Sequence, residues 1–160
     1  MIVSNASPLI YLAKVGKLHL LKELFGKVLI EEEVRREVVD RGKEEGAADS
    51  IVIEESIQDG WIIVKRIKDK RKFKGIHLGE ANTILLAKEL NSEVLIDEED
   101  AREVARAFGL KTRGTLYVLR KCREQEIISK KEAIEILANM LNEGFRLSAH
   151  LYSEFVRRLD

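Results

Sequence analysis

Asn5, Glu37, Glu80 and Asp97 lie in four separate stretches of the chain, each beside an apolar run. Asn5 follows Ile2-Val3-Ser4, and Asp97 closes Val94-Leu95-Ile96. Glu37 stands three residues after Val34 and next to Val38, on or near the apolar stripe of its helix. A carboxylate leaning into such a face needs a partner. Glu80 precedes Ile84 by about one helical turn and points along the same side. Carboxylates gathered in one place repel unless a cation sits among them, and oxygen-only donors suit hard ions such as Mg²⁺ or Mn²⁺. Such ions generate hydroxide from bound water and hold a phosphate in line for attack. Plainer readings exist: an ion pair with a neighbouring Arg or Lys for Glu37, and helix-dipole stabilisation of a first-turn acid for Glu80.

The elements that must position these side chains alternate between strand and helix. Residues 1–4 form a short strand. Ser7 then Pro8 reads as a helix N-cap followed by proline at the first helical position, with a helix over about 8–14. A second helix covers 18–25, with Leu18, Leu21, Leu24 and Phe25 on one stripe. Residues 28–30 form a buried strand, 31–40 a helix with three acids in its first turn, 46–58 a helix and 61–64 a strand. A strong amphipathic helix spans 77–90, a strand 94–96, a helix 99–108 and an extended piece 111–113. Helices over 115–125, 130–143 and 148–158 follow. This alternation implies a parallel sheet covered on both faces. Ligand sites in such sheets form outside the carboxyl ends of the strands, where Asn5 and Asp97 both stand.

Composition narrows the function classes. At 160 residues, 45% hydrophobic and 35% charged, the chain fits one folded domain, neither disordered nor membrane-embedded. No apolar run reaches the roughly 18–20 residues of a spanning helix. The N-terminus lacks a basic segment ahead of its apolar stretch, so no signal peptide is expected. Cys122 is the only cysteine, which excludes an internal disulfide or a cysteine zinc site and fits a cytoplasmic setting. It reads as half-buried packing. His19, His77 and His150 fit no zinc spacing, and His77 reads as a helix start. Ser7 has no His–Asp set around it, and no glycine-rich phosphate loop is present.

Basic and acidic residues balance at 28 each, so attraction to nucleic acid must come from local charge. The stretch 65–74 holds seven basic residues and one acid. Lys70, Arg71, Lys72 and Lys74 carry the charge to grip nucleic-acid phosphates, with Phe73 available to stack on a base. The alternative is a solvated loop. The stripe Leu147, Leu151, Phe155 and Leu159 packs on the core or on a second subunit.

Ile2-Val3-Ser4-Asn5-Ala6-Ser7-Pro8-Leu9-Ile10 resembles the opening of PIN domains, in which an acid follows the first strand and a small hydroxyl residue comes two later. Val28-Leu29-Ile30 with Val34 and Glu37 resembles their second acidic motif. Leu78-Gly79-Glu80-Ala81 and Leu95-Ile96-Asp97-Glu98 resemble the third and fourth. Gly144-Phe145-Arg146-Leu147-Ser148 looks like the tail of a PIN-like branch of prokaryotic proteins. The resemblance covers almost the whole chain, and the order and spacing of the motifs carry it.

This resemblance implies a PIN-like three-layer α/β/α sandwich with a central, mainly parallel sheet of about four or five strands. One domain spans 1–160, with helices at about 130–158 packing on it or on a dimer partner. The implied activity is metal-dependent endoribonuclease, often as the toxin of a toxin–antitoxin pair. RNA, an antitoxin protein and a second copy of the chain are then the implied partners. Catalysis would fall to Glu37, Glu80, Asp97 and Asn5. Glu37, Glu80 and Asp97 would hold Mg²⁺ or Mn²⁺, with Glu98 a second candidate at the fourth position. Ser7 would orient the first ligand and Thr115 would hydrogen-bond within the site. Asn5 departs from the family's usual Asp: it keeps a carbonyl oxygen but loses a negative charge. A nucleic-acid-binding or partner-docking module with weakened or lost catalysis is therefore the alternative.

Overall fold

The apolar strand residues are shared between two faces of one sheet. In a computed structural model describing residues 1–160, the strands are β1 (Ile2–Ser4), β2 (Val28–Glu31), β3 (Ile62–Lys65), β4 (Val94–Leu95) and β5 (Thr112–Arg113). All pair in parallel, in the order β3-β2-β1-β4-β5. Ile2, Val28, Ile30, Ile62 and Leu95 join a cluster of 28 buried residues on one face. Val3, Leu29, Val94 and Ile96 join a cluster of 12 on the other. Period-two alternation thus divides continuous apolar runs between two helical layers. The result is the α/β sandwich expected from the sequence, with five strands.

The larger cluster takes in α1 (Ala6–Lys14), α2 (His19–Phe25), α5 (Ala48–Gln58), α8 (Thr115–Glu124), α9 (Lys130–Asn142) and α10 (Ala149–Arg158). The smaller is covered by α6 (Leu78–Leu90) and α7 (Glu99–Ala107). Between β2 and α5 the chain runs through α3 (Glu32–Arg35), a π-helical segment (Arg36–Arg41) and α4 (Gly42–Glu44). No helix is long and apolar enough to cross a membrane.

The structure departs from the expected elements in several places. Helix α1 starts at Ala6 with Asn5 as its N-cap, so Ser7 is not the cap and Pro8 is the third helical residue. Proline is tolerated there because first-turn N–H groups lack intrahelical acceptors. The expected helix over 31–40 is not uniformly α, since Glu31 caps its start and π-turns begin at Arg36. Helix α6 is not amphipathic: every residue from Glu80 to Ala87 is buried. It lies on β1 and β2 and is flanked by α3 and α7, while Ile67, Phe73 and Ile76 of the preceding coil pack against its cluster. Cys122 is fully rather than half buried, and burial raises its thiol pKa to about 11. In the closing stripe, Phe155 and Leu159 pack on the core, whereas Leu151 stays 47% exposed.

Candidate carboxylate site at the centre of the sheet

From β1 the chain crosses to β2 and β3 on one side, and later returns to build β4 and β5 on the other. The carboxyl ends of β1 and β4 therefore flank a topological switch point, where an α/β sheet opens a crevice. Asn5 leaves β1 there, and Asp97 and Glu98 leave β4.

Asn5 is buried, and its Nδ2 donates to Glu98 Oε2 at 3.3 Å. A carboxylate only accepts, so the amide must turn its nitrogen to Glu98 and its oxygen elsewhere. That oxygen faces the start of α6: a Cβ on Gly79 would lie 4.0 Å from Asn5 Oδ1. Ser7 Oγ donates to Glu98 Oε1 at 2.6 Å, a short charge-assisted bond. Both oxygens of Glu98 are thus held by the first strand–helix junction.

Glu37 reaches the crevice from the π-helical segment, a local distortion often found at functional sites. The ion pair weighed from the sequence is absent. Arg35 binds Glu32 and Asp40, while Arg36 and Arg41 pair with Glu33. Half-buried Glu37 has neither a salt bridge nor a hydrogen bond of its own. A Cβ on Gly79 would come within 3.3 Å of Glu37 Oε2, so only glycine allows this approach without displacing the carboxylate. Glu80, the residue after Gly79, is buried and accepts from the backbone N–H of His77 at 3.0 Å, half of a capping box.

Burial pushes the carboxyl pKa of Glu37 upward, Arg41 opposes this, and Glu98 and Glu80 push it further up. Burial also raises Glu80, against the His77 N–H, with Glu98 adding to the rise. For Asp97, burial outweighs the two hydrogen bonds from Thr115, and Glu98 again raises it. Glu98 is the neighbour shared by all three, so repulsion converges on it.

Asp97 faces a different wall. Thr115 donates to it twice, from its backbone N–H to Oδ1 and from its hydroxyl to Oδ2, both at 2.7 Å. Gly114 lies against Asp97 and Arg102, each within 3.1 Å of where its Cβ would be. Of the two acids weighed for the fourth position, Glu98 meets Asn5 and Ser7, and Asp97 meets α8. No three acidic, histidine or cysteine side chains converge tightly enough to cage one ion as they stand. The donors nonetheless suit a hard divalent ion in kind: they are oxygens, partly desolvated, and Glu37 is unpartnered.

The residues of the basic coil, Lys70, Arg71, Lys72 and Lys74, are exposed. Phe73 is not a free stacking ring, because it packs edge-on against Phe108 at 5.5 Å between centroids. Two features escaped the sequence reading. Arg102 stands beside Asp97, and no local pattern marks it. Glu31 ends β2 buried and accepts from Glu33 N–H at 2.6 Å and Asn82 Nδ2 at 3.0 Å, which makes it a cap for α3. The acid-rich run Glu31-Glu32-Glu33 was the available signal for that cap.

Two expected results follow from this geometry. Thr115→Val keeps the shape but removes the hydroxyl donor to a desolvated carboxylate, and should cost about 1–3 kcal/mol in thermal unfolding. Thr115→Ser should recover most of it. Equal stability of the valine and serine variants would remove Thr115 from the support of Asp97. The second result concerns pH. The raised carboxyls of Glu37, Glu80 and Asp97 bind protons more tightly folded than unfolded. The metal-free protein should therefore lose stability as pH rises from the ordinary 3.8 and 4.5 through the raised values. In EDTA the melting temperature should fall as pH rises from about 4.5 toward neutrality, and Mn²⁺ should reduce the fall. A melting temperature that rises over this window would show that these groups are not penalised by folding.

A family model described as a PIN domain matches residues 1–160. No curated protein matches the sequence. Among solved structures, a PilT N-terminus domain protein from the hyperthermophilic archaeon Sulfolobus solfataricus is similar in fold. It has 18% identity and a TM-score of 0.57, over 76% of this chain and 92% of that one. At that identity the likeness concerns the fold alone. With the family pattern matched from the first residue to the last, the chain belongs to the PIN-domain family.

Proposed function

We propose that this PIN domain is a metal-dependent endoribonuclease that hydrolyses RNA phosphodiesters, and that it acts as the toxin of a toxin–antitoxin pair. The family's nuclease-like fold is the background. The observation that carries the reading is the group Glu37, Glu80 and Glu98 beside Asn5 at the switch point, mutually repelling, with Glu37 unpaired. In a protein at neutral pH such a group costs stability unless a cation offsets it. Glu37, Glu80, Glu98 and the Asn5 carbonyl would hold Mg²⁺ or Mn²⁺, with Asp97 on the far side of Glu98. When bound, the ion supplies a water acidified for attack and a counter-charge for the phosphate. The chain's own residues prepare the place. Ser7 and Asn5 fix Glu98, the His77 N–H fixes Glu80, and Thr115 fixes Asp97. Gly79 leaves room for Glu37 beside Asn5.

Incubation with single-stranded RNA should give cleavage in Mn²⁺ that EDTA abolishes. RNA left intact in Mn²⁺ at neutral pH would overturn the nuclease reading. A second reading has its own support. Asn5 donates to Glu98, which relieves repulsion without a cation, as expected of a nucleic-acid-binding module that has lost cleavage. Intact RNA that is nonetheless bound would favour it.

A further inference from the structure

Beside Asp97 lies a second space. Helix α8, the Phe145–Leu147 turn and α10 enclose a cleft of about 250 Å³. Asp97, Phe145 and Arg146 line it and also line the hollow that holds Ser7 and Glu98. The cleft therefore shares a wall with the hollow at Glu98. Its walls carry four arginines, Arg102, Arg120, Arg146 and Arg158, against two acids, Asp97 and Glu154. Glu154 is already paired with Arg158 at 2.7 Å. Arg102, Arg120 and Arg146 have no ion-pair partner, and the Nε of Arg102 is buried without a hydrogen bond. The remaining lining is apolar: Leu116, Leu147 and Phe155 inside, and Leu151 at the rim. The half-buried ring of Tyr117 carries the guanidinium of Arg113 at 4.2 Å and that of Arg120 at 5.7 Å.

We propose that this cleft binds one nucleotide of single-stranded RNA adjoining the cleaved bond, with its phosphate on Arg102, Arg120 and Arg146 and its base against the apolar floor. The inference rests on RNA being the substrate of the carboxylate site. Three features favour it. Unpaired guanidiniums recognise phosphate bidentately. The cleft is small, with room for one flat group rather than a folded partner. It also shares the wall formed by Asp97, Phe145 and Arg146 with the hollow at Glu98, beside which the reacting phosphate would lie. The basic coil has charge without this shape, and its one aromatic ring is occupied by Phe108.

The test is binding of a fluorescein-labelled single-stranded RNA oligonucleotide to the full chain carrying Glu80→Gln, in EDTA, followed by anisotropy across a salt series. Adding Arg120→Glu and Arg146→Glu should weaken binding at least about tenfold and flatten the log–log salt slope by roughly 1 to 2, as expected for two lost phosphate contacts. Arg120→Lys should retain most of the slope, which guards against a folding artefact. Reversal at Lys70, Arg71 and Lys72 should have the smaller effect. An unchanged affinity and slope in the arginine variants would overturn the proposal. So would a glutamate-rich peptide that binds the cleft more tightly than RNA of equal charge, which would make it a protein-docking site. Arginine-dependent RNA binding, together with no cleavage by the unsubstituted chain in Mn²⁺, would sink the nuclease reading and leave the cleft assignment standing. Cleavage with arginine-independent binding would do the reverse.

Discussion

Glu80→Gln should abolish Mn²⁺-dependent cleavage and, at the same time, raise the melting temperature of the protein in EDTA at neutral pH. Both effects come from one lost charge. Glu80 is buried, is held by the His77 N–H and is pushed toward protonation by burial and by Glu98. Glutamine still accepts from His77, so the capping arrangement that starts α6 survives. Removing the charge relieves a desolvated anion of its repulsion, a gain of about 1 kcal/mol, or roughly 2–4 °C for a chain of this size. The same change deletes a metal donor. Losing even an outer partner of a metal ligand commonly costs 10–100-fold, so a direct donor should cost on the order of 100-fold or more in kcat/KM. A variant that is destabilised and still active would show that Glu80 is a structural cap.

Asn5→Asp has the opposite expected signature. In EDTA the aspartate would meet Glu98 where the amide nitrogen now donates at 3.3 Å. A hydrogen bond becomes a clash of like charges in a buried setting. The loss should be about 2 kcal/mol, or roughly 4–8 °C in melting temperature. In Mn²⁺ the added charge should tighten binding about tenfold, which is about 1.4 kcal/mol. Most of the stability lost without the ion should thus be regained at saturating Mn²⁺. Calorimetry showing unchanged or weaker Mn²⁺ affinity would remove position 5 from the metal site.

The sequence announced most of the architecture because its signals were local. Short apolar runs such as Val28-Leu29-Ile30 and Val94-Leu95-Ile96, set between helical stretches, fixed a parallel sheet, and the exits of the first and fourth strands marked the crevice. What it concealed was long-range. The π-turns that deliver Glu37 to Gly79 leave no composition mark, and helical periodicity only placed Glu37 near the buried stripe. The choice between Asp97 and Glu98 depends on how the chain bends between β4 and α7, which two adjacent acids cannot reveal. Helix α6 looked one-sided because it mixes Asn82 and Thr83 with its apolar residues. Asn82 donates to Glu31 and Thr83 to the Gly79 carbonyl, which leaves only the Asn82 amide oxygen without a partner and lets the helix be buried on every side from Glu80 to Ala87. Arg102 became visible only once Gly114, which caps the start of α8, was set against it.

The order of the strands has a consequence for the chain as it is made. β1 is synthesised first yet lies in the middle of the sheet, and the pairing of Val3 with Val94 waits for a segment roughly ninety residues downstream. Until that segment leaves the ribosome, one edge of β1 is open to other pairings, and Asn5 and Ser7 face no Glu98. A nascent chain therefore displays half a sheet and no assembled centre. Whatever chemistry the acids perform, it begins only after translation has passed β4.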